Sequence, residues 1–190
     1  MGPLASHMVI HILLMNLVAP LAASWAILAS RRREPAAGLL EFATAVQLLA
    51  LWTWHAPPLL TRAFSSSAVH LLMYGSLFLS AVLFWWAVLR FRGARKWKPV
   101  VFLLATSKLY CLLAVLLVFA PRALYPNIAP SGHGPFLHTT LADQQLAGLI
   151  MLVVCPATYL VAGIAITARW LCAIEADETD RPNAGEAAWT

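Results

Sequence analysis

The sequence predicts an all-α polytopic membrane bundle of five transmembrane helices, with its N-terminus outside and its C-terminus in the cytoplasm. Three observations predict it. Of 190 residues, 61% are hydrophobic and only 11% charged, more apolar surface than a soluble domain of this size could bury. Five apolar stretches have the length a helix needs to cross a bilayer, about 20 residues. The basic residues, finally, are concentrated in alternate loops.

Taken in order, the first span covers about 6–29 and opens on "SHMVIHILLM". The second, about 37–56, ends at "WTWHAPP", where a double proline stops a helix. The third, about 68–90, runs from His70 to "FWWAVL", and the fourth covers about 99–121. The fifth, about 142–172, is long enough to tilt or to project from the bilayer. Pro20 and Pro156 predict kinks in the first and last spans, where neighbouring helices can satisfy the freed carbonyls. Residues 1–172 thus form one bundle. Residues 173–190, with Glu175, Asp177, Glu178, Asp180 and Pro182, are predicted to be a polar, disordered cytoplasmic tail. No basic n-region with a cleavage site opens the chain, so its start reads as a first span and not as a signal peptide. Most of the eight tryptophans and four tyrosines lie near span ends, where they anchor at membrane interfaces.

Orientation follows from the loops. The first carries Arg31, Arg32 and Arg33; the third carries Arg90, Arg92, Arg95, Lys96 and Lys98. The second and fourth carry only Arg62 and Arg122. Positive-inside counting puts loops one and three in the cytoplasm, and this explains the net charge of +5 without a nucleic-acid partner. Cys111, Cys155 and Cys172 all lie in apolar stretches, so no disulfide framework is expected. Cys111 and Cys172 read as small apolar fillers.

On this topology all six histidines fall on the outer side. His7 and His11 enter the first span, His55 closes the second, His70 opens the third, and His133 and His138 lie in the long outer loop. Residues four apart share a helix face. His7, His11 and Met15 therefore make one stripe, flanked by Met8. His70, Met73 and Tyr74 make a second stripe, and Asp143, Ala147, Met151 and Cys155 a third. Imidazole, thioether and thiolate ligands suit copper, and helix bundles build metal sites between facing helices. His7, His11, His55 and His70 are the candidate metal ligands. Met15, Met73, Tyr74, Met151, Cys155 and Gln144 are additional candidates, and Asp143 is a candidate partner for a histidine or for the ion's charge. The competing reading is ordinary: interfacial histidines bond headgroups or end helices, membrane methionines mostly pack, and His133 in "SGHGP" reads as a turn residue. Deeper in the membrane, Glu41 and Lys108 are costly alone and sit at depths that allow a pair near Ser107, with snorkelling of Lys108 as the alternative.

The segments "HMVIHILLM", "WTWHAPPLL", "PRALYP" and "DQQLAGLIM", in this order and spacing, resemble the CtaG-type multi-spanning membrane family of cytochrome c oxidase assembly factors. The resemblance touches every span, from His7 to Met151. It implies a bacterial inner-membrane protein that helps mature a haem-copper oxidase by supplying copper to its catalytic subunit. The motif positions carried over are His7, His11, Trp54, His55, Pro57, His70, Asp143, Gln144 and Gln145. Val69 and Leu152 depart from the residues common at their positions, and many relatives have further spans.

The expected partners are therefore the oxidase catalytic subunit, a periplasmic copper donor and the bilayer, with a second copy of the chain left open and nucleic acid excluded. Two other readings compete: a haem-binding electron carrier, and a structural scaffold without metal. No "CxxCH" points to covalent haem. No serine stands in "GxSxG" or another nucleophile motif, so no enzyme is expected.

Overall fold

A computed structural model of the chain describes residues 1–29, 38–91, 97–126, 128 and 141–179, with side chains to 176. Every regular element among them is a helix. Helix α1 (Pro3–Leu13) passes through a π-helical turn (Leu14–Val18) into α2 (Ala19–Ala29). Then come α3 (Leu39–Trp54), α4 (Pro57–Ser65), α5 (Ser67–Arg90), α6 (Lys98–Phe119) and α7 (Leu141–Thr179).

Four helices are long and apolar enough to cross a membrane: Pro3–Ala29, Ser67–Arg90, Lys98–Phe119 and Leu141–Ala176. The expected second span is shorter than anticipated. Helix α3 has 16 residues, about 24 Å of rise, because both its ends are punctuated. Gly38 caps its start at φ 82°. At its other end His55 is the C-cap, and Ala56 is extended ahead of the proline that opens α4. The second loop is thereby a helix in its own right, with Leu60 and Ala63 buried.

The π-turn answers the expectation of a kink at Pro20. Proline removes a backbone donor and crowds the carbonyl four residues back, here Asn16. Widening the preceding turn accommodates it: the Ala19 amide donates to the Leu14 carbonyl, and the Trp85 indole of α5 donates to the Met15 carbonyl at 2.9 Å. Helix α7 runs through Pro156. It also continues past residue 172, where the sequence reading placed a disordered tail; Ala173, Glu175 and Ala176 are strong helix formers. Residues 180–190, His133 and His138 lie outside the described residues.

Packing encloses a set of polar side chains within an apolar core and leaves further large apolar side chains facing out. Large side chains such as Leu21, Trp25, Leu28, Phe42, Leu71, Phe119 and Val161 are exposed, the pattern of a lipid-facing surface. Helices α6 and α7 meet closely at Gly148, where a Cβ would come within 2.9 Å of the Ala114 carbonyl. Helices α1 and α7 run parallel in constant register. Asp143 of α7 meets Leu4, and three turns on Cys155 meets Asn16, each pair 139 residues apart in sequence. A mid-bundle polar layer lies at that second level. The Gln47 amide donates to the hydroxyls of Tyr110 (2.7 Å) and Tyr159 (3.1 Å), and the Trp85 ring stacks on Tyr159 at 5.5 Å.

Candidate metal centre

Three helix ends deliver four imidazoles to one place. His7 and His11 stand one turn apart on α1 with their rings 5.9 Å apart and nearly parallel. His55 ends α3; its ring is 6.2 Å from that of His7 and 5.5 Å from that of His11. His70, in the first turn of α5, lies 6.1 Å from His7. His7, His11 and His55 are 2–3% exposed, whereas His70 is half-buried at the rim. The first three form a buried triangle and His70 is its opening to the outside.

Neighbours fix how the rings face. His7 Nδ1 is 2.8 Å from the Tyr74 hydroxyl. His55 Nδ1 lies 2.7 Å from the Leu51 carbonyl, which can only accept, so that nitrogen carries the proton and Nε2 is left with its lone pair. Phe64 of α4 packs against His7 (5.5 Å) and His70 (5.2 Å), and Tyr74 stacks on His70 at 4.9 Å. From the opposite side the buried Tyr125 hydroxyl donates to the His55 carbonyl at 2.7 Å. Burial pushes the Tyr125 phenol up to about 12, so it keeps the proton it donates.

What remains is a set of nitrogens without protein partners: Nε2 of His7, His55 and His70, and both ring nitrogens of His11. Leaving one buried polar atom unpaired costs about 1–3 kcal/mol. Five such atoms lie in this cluster, and two more, Asn16 Oδ1 and Gln47 Oε1, lie in the mid-bundle layer. Among the described residues, however, no three His, Cys, Asp or Glu side chains already stand at metal-holding separation. Magnitudes explain both facts. Nitrogens 2.0–2.1 Å from one ion would set ring centroids roughly 5.2 Å apart in a tetrahedron. His11–His55 at 5.5 Å is close to this, and the pairs at 5.9–6.2 Å are wider. His7, His11 and His55 are thus the three rings nearest that spacing, and His70 joins them through His7.

Other candidate residues have partners of their own. The Asp143 carboxylate accepts from the backbone amides of Leu4 (2.9 Å) and Ala5 (3.4 Å). It caps the N-terminus of α1 from another helix, while Tyr74 and the Leu51 carbonyl orient the histidines. Gln144 accepts from the Leu124 amide (2.7 Å) and donates to the Leu117 carbonyl (3.0 Å); Gln145 donates to Val118 (3.3 Å). The "DQQ" run thus ties α1, the end of α6 and the segment carrying Tyr125. Met15, Met73, Met151 and Cys155 are fully buried. Cys155 is not at the histidine level: its Sγ accepts from the Asn16 amide at 3.5 Å, in the mid-bundle layer. Glu41 pairs with Lys98, not Lys108, at 2.7 Å. Both partners sit in first helical turns at the same end of the bundle, while Lys108 is exposed roughly 15 Å further along α6.

Sequence reasoning missed Phe64, Tyr125, the Leu51 carbonyl and the Asn16–Gln47 layer. Asn16 and Gln47 carried a usable signal, amides inside apolar spans. Tyr125 lay in the quoted "PRALYP". Nothing local distinguishes the Leu51 carbonyl.

An apolar helical bundle with four helices long enough to cross a bilayer and buried imidazoles gathered at one end is a membrane protein. The family model "Cytochrome c oxidase caa3 assembly factor" matches residues 3–173, and the chain belongs to that family. Comparison with curated proteins and with solved structures gives no match.

Proposed function

We propose that this chain is a copper-handling assembly factor of the bacterial inner membrane, taking its ion at the periplasmic side and passing it to the catalytic subunit of a cytochrome c oxidase. The observation that carries the reading is the convergence of His7, His11, His55 and His70 with their Nε2 atoms unpartnered. Imidazole nitrogens suit copper, and the cluster offers an all-nitrogen set with three of its four rings buried. Copper here is cargo, and His70 at the rim gives it a way in and out. The reading is non-catalytic. It places α3 as a fifth, short crossing, with the histidine end outside and the Glu41–Lys98 end in the cytoplasm, supported by the basic loops.

The test is copper stoichiometry on purified protein, together with oxidase activity in a strain lacking it. About one ion per chain is expected, lost in His11→Ala and His55→Gln, with oxidase activity restored by the parent gene and not by those variants. Unchanged stoichiometry in both variants would reject the cage.

A further inference from the structure

At the end of the bundle away from the histidines, a cleft of about 440 Å³ opens between α5 and α7, with the start of α6 as its floor. Val88, Leu89 and Phe91 line it from α5, and Ile166, Arg169 and Trp170 from α7. We propose that this cleft binds an anionic phospholipid, with the phosphodiester at Arg169 and an acyl chain against Val88, Leu89 and Ile166.

Three independent features converge. The first is depth. Arg169 follows Asp143 along α7 by about 39 Å at 1.5 Å per residue, and a bilayer measured across its headgroups is about 40–45 Å thick. With Asp143 at one surface, Arg169 stands at the phosphate level of the other. The second is charge. Pro99, at the start of α6, borders the cleft. That helix has no acidic residue in its first turn, so its dipole adds positive potential at this end of the cleft. Nearby Lys98 is already neutralised by Glu41, while Arg169 is exposed. The third is the wall. Ile166 lies about one turn nearer the membrane interior than Arg169 on α7, Val88 and Leu89 line the cleft from α5, and Trp170 brings an indole N–H with an apolar ring, suited to the headgroup boundary. A soluble anion would use the charge but not the apolar wall. Basic pockets between membrane helices recognise anionic headgroups on these terms.

The experiment reconstitutes the full chain in nanodiscs of phosphatidylcholine and phosphatidylglycerol in equal parts, then quantifies the lipids retained on extraction by native mass spectrometry. The retained ratio of phosphatidylglycerol to phosphatidylcholine should be about five to one against one to one in the bulk, as one basic contact near the surface allows. Arg169→Gln should abolish that enrichment, and Leu89→Trp, which fills the cleft, should lower retention of both lipids. Arg62→Gln at the opposite end should change neither, and millimolar glycerol phosphate should not displace the lipid. Each variant is first shown to melt like the parent in pure phosphatidylcholine. Enrichment that survives Arg169→Gln, or lipid displaced by glycerol phosphate, overturns the proposal.

Discussion

His7 Nδ1 and the Tyr74 hydroxyl lie 2.8 Å apart across α1 and α5, and this contact engages one ring nitrogen of His7 while Nε2 stays buried without a partner. A group that orients a metal-binding histidine typically contributes 10–100-fold in affinity. Tyr74→Phe keeps the ring that stacks on His70 and removes only the hydroxyl. It should weaken copper binding by about tenfold with little change in melting temperature, read by competition against a chromophoric chelator. Affinity equal to the parent would show that the cage holds its geometry without Tyr74.

His55 and His70 should differ as ligands because they differ in burial. His55 is 3% exposed and doubly tied, by its ring to the Leu51 carbonyl and by its own carbonyl to Tyr125. His70 is half-buried at the rim, where water can replace it. Copper affinity should therefore fall about tenfold further, about 1.4 kcal/mol, in His55→Gln than in His70→Gln. Stopped-flow transfer to a chelator should show faster release from His70→Gln. Equal losses in the two variants would make His70 a full member of the buried set.

How much of this was legible follows from where the information lies. The four histidines could be found because helical spacing and loop charge are local properties, and together they put His7, His11, His55 and His70 at one end. Asp143 illustrates the limit. Its spacing to Met151 and Cys155 put all three on one α7 face, but the cap it makes on the backbone amides of Leu4 and Ala5 is one that no side-chain pattern announces. The Glu41 pairing failed for a related reason. Depth counted along single helices allowed Lys108, whereas the packing of α3 against α6 brings Lys98 level with Glu41. The length of α3 was over-read because hydropathy carried across Gly38 and the turn at His55, although both were visible as punctuation.

Asp143 and Gly2 form a second testable pair. Any Cβ at Gly2 would run into the Asp143 carboxylate, so the cap of α1 requires glycine there. Asp143→Ala should destabilise the protein by about 0.5–2 kcal/mol, the usual loss for an N-cap. Asp143→Asn keeps an oxygen acceptor and should recover most of that. Gly2→Ala should resemble Asp143→Ala, since it displaces the same carboxylate. Because α1 carries His7 and His11, both destabilising variants should also weaken copper binding, and the Asn variant should not. A thermal melt and a copper titration on the same samples read both effects; Asp143→Ala with parental melting would remove the cap from the account.

Gln47 separates stability from metal binding. Its amide donates to Tyr110 and Tyr159 from a fully buried position, about two turns below the level of His55 on α3. Gln47→Met keeps the volume and removes the donor, leaving the two phenols to each other. Hydrogen bonds between membrane helices are individually modest because the disordered state in lipid also finds partners, and an unpaired buried group costs more than the bond itself contributes. The variant also removes the buried Oε1 of Gln47, which has no partner, so the expected loss is about 0.5–1.5 kcal/mol, measured by denaturant unfolding in micelles. Copper stoichiometry and affinity should stay parental, since the amide touches no histidine. Loss of copper without loss of stability would instead tie the mid-bundle layer to the cage, and Asn16, Cys155 and Gln47 would then belong to the path the ion takes.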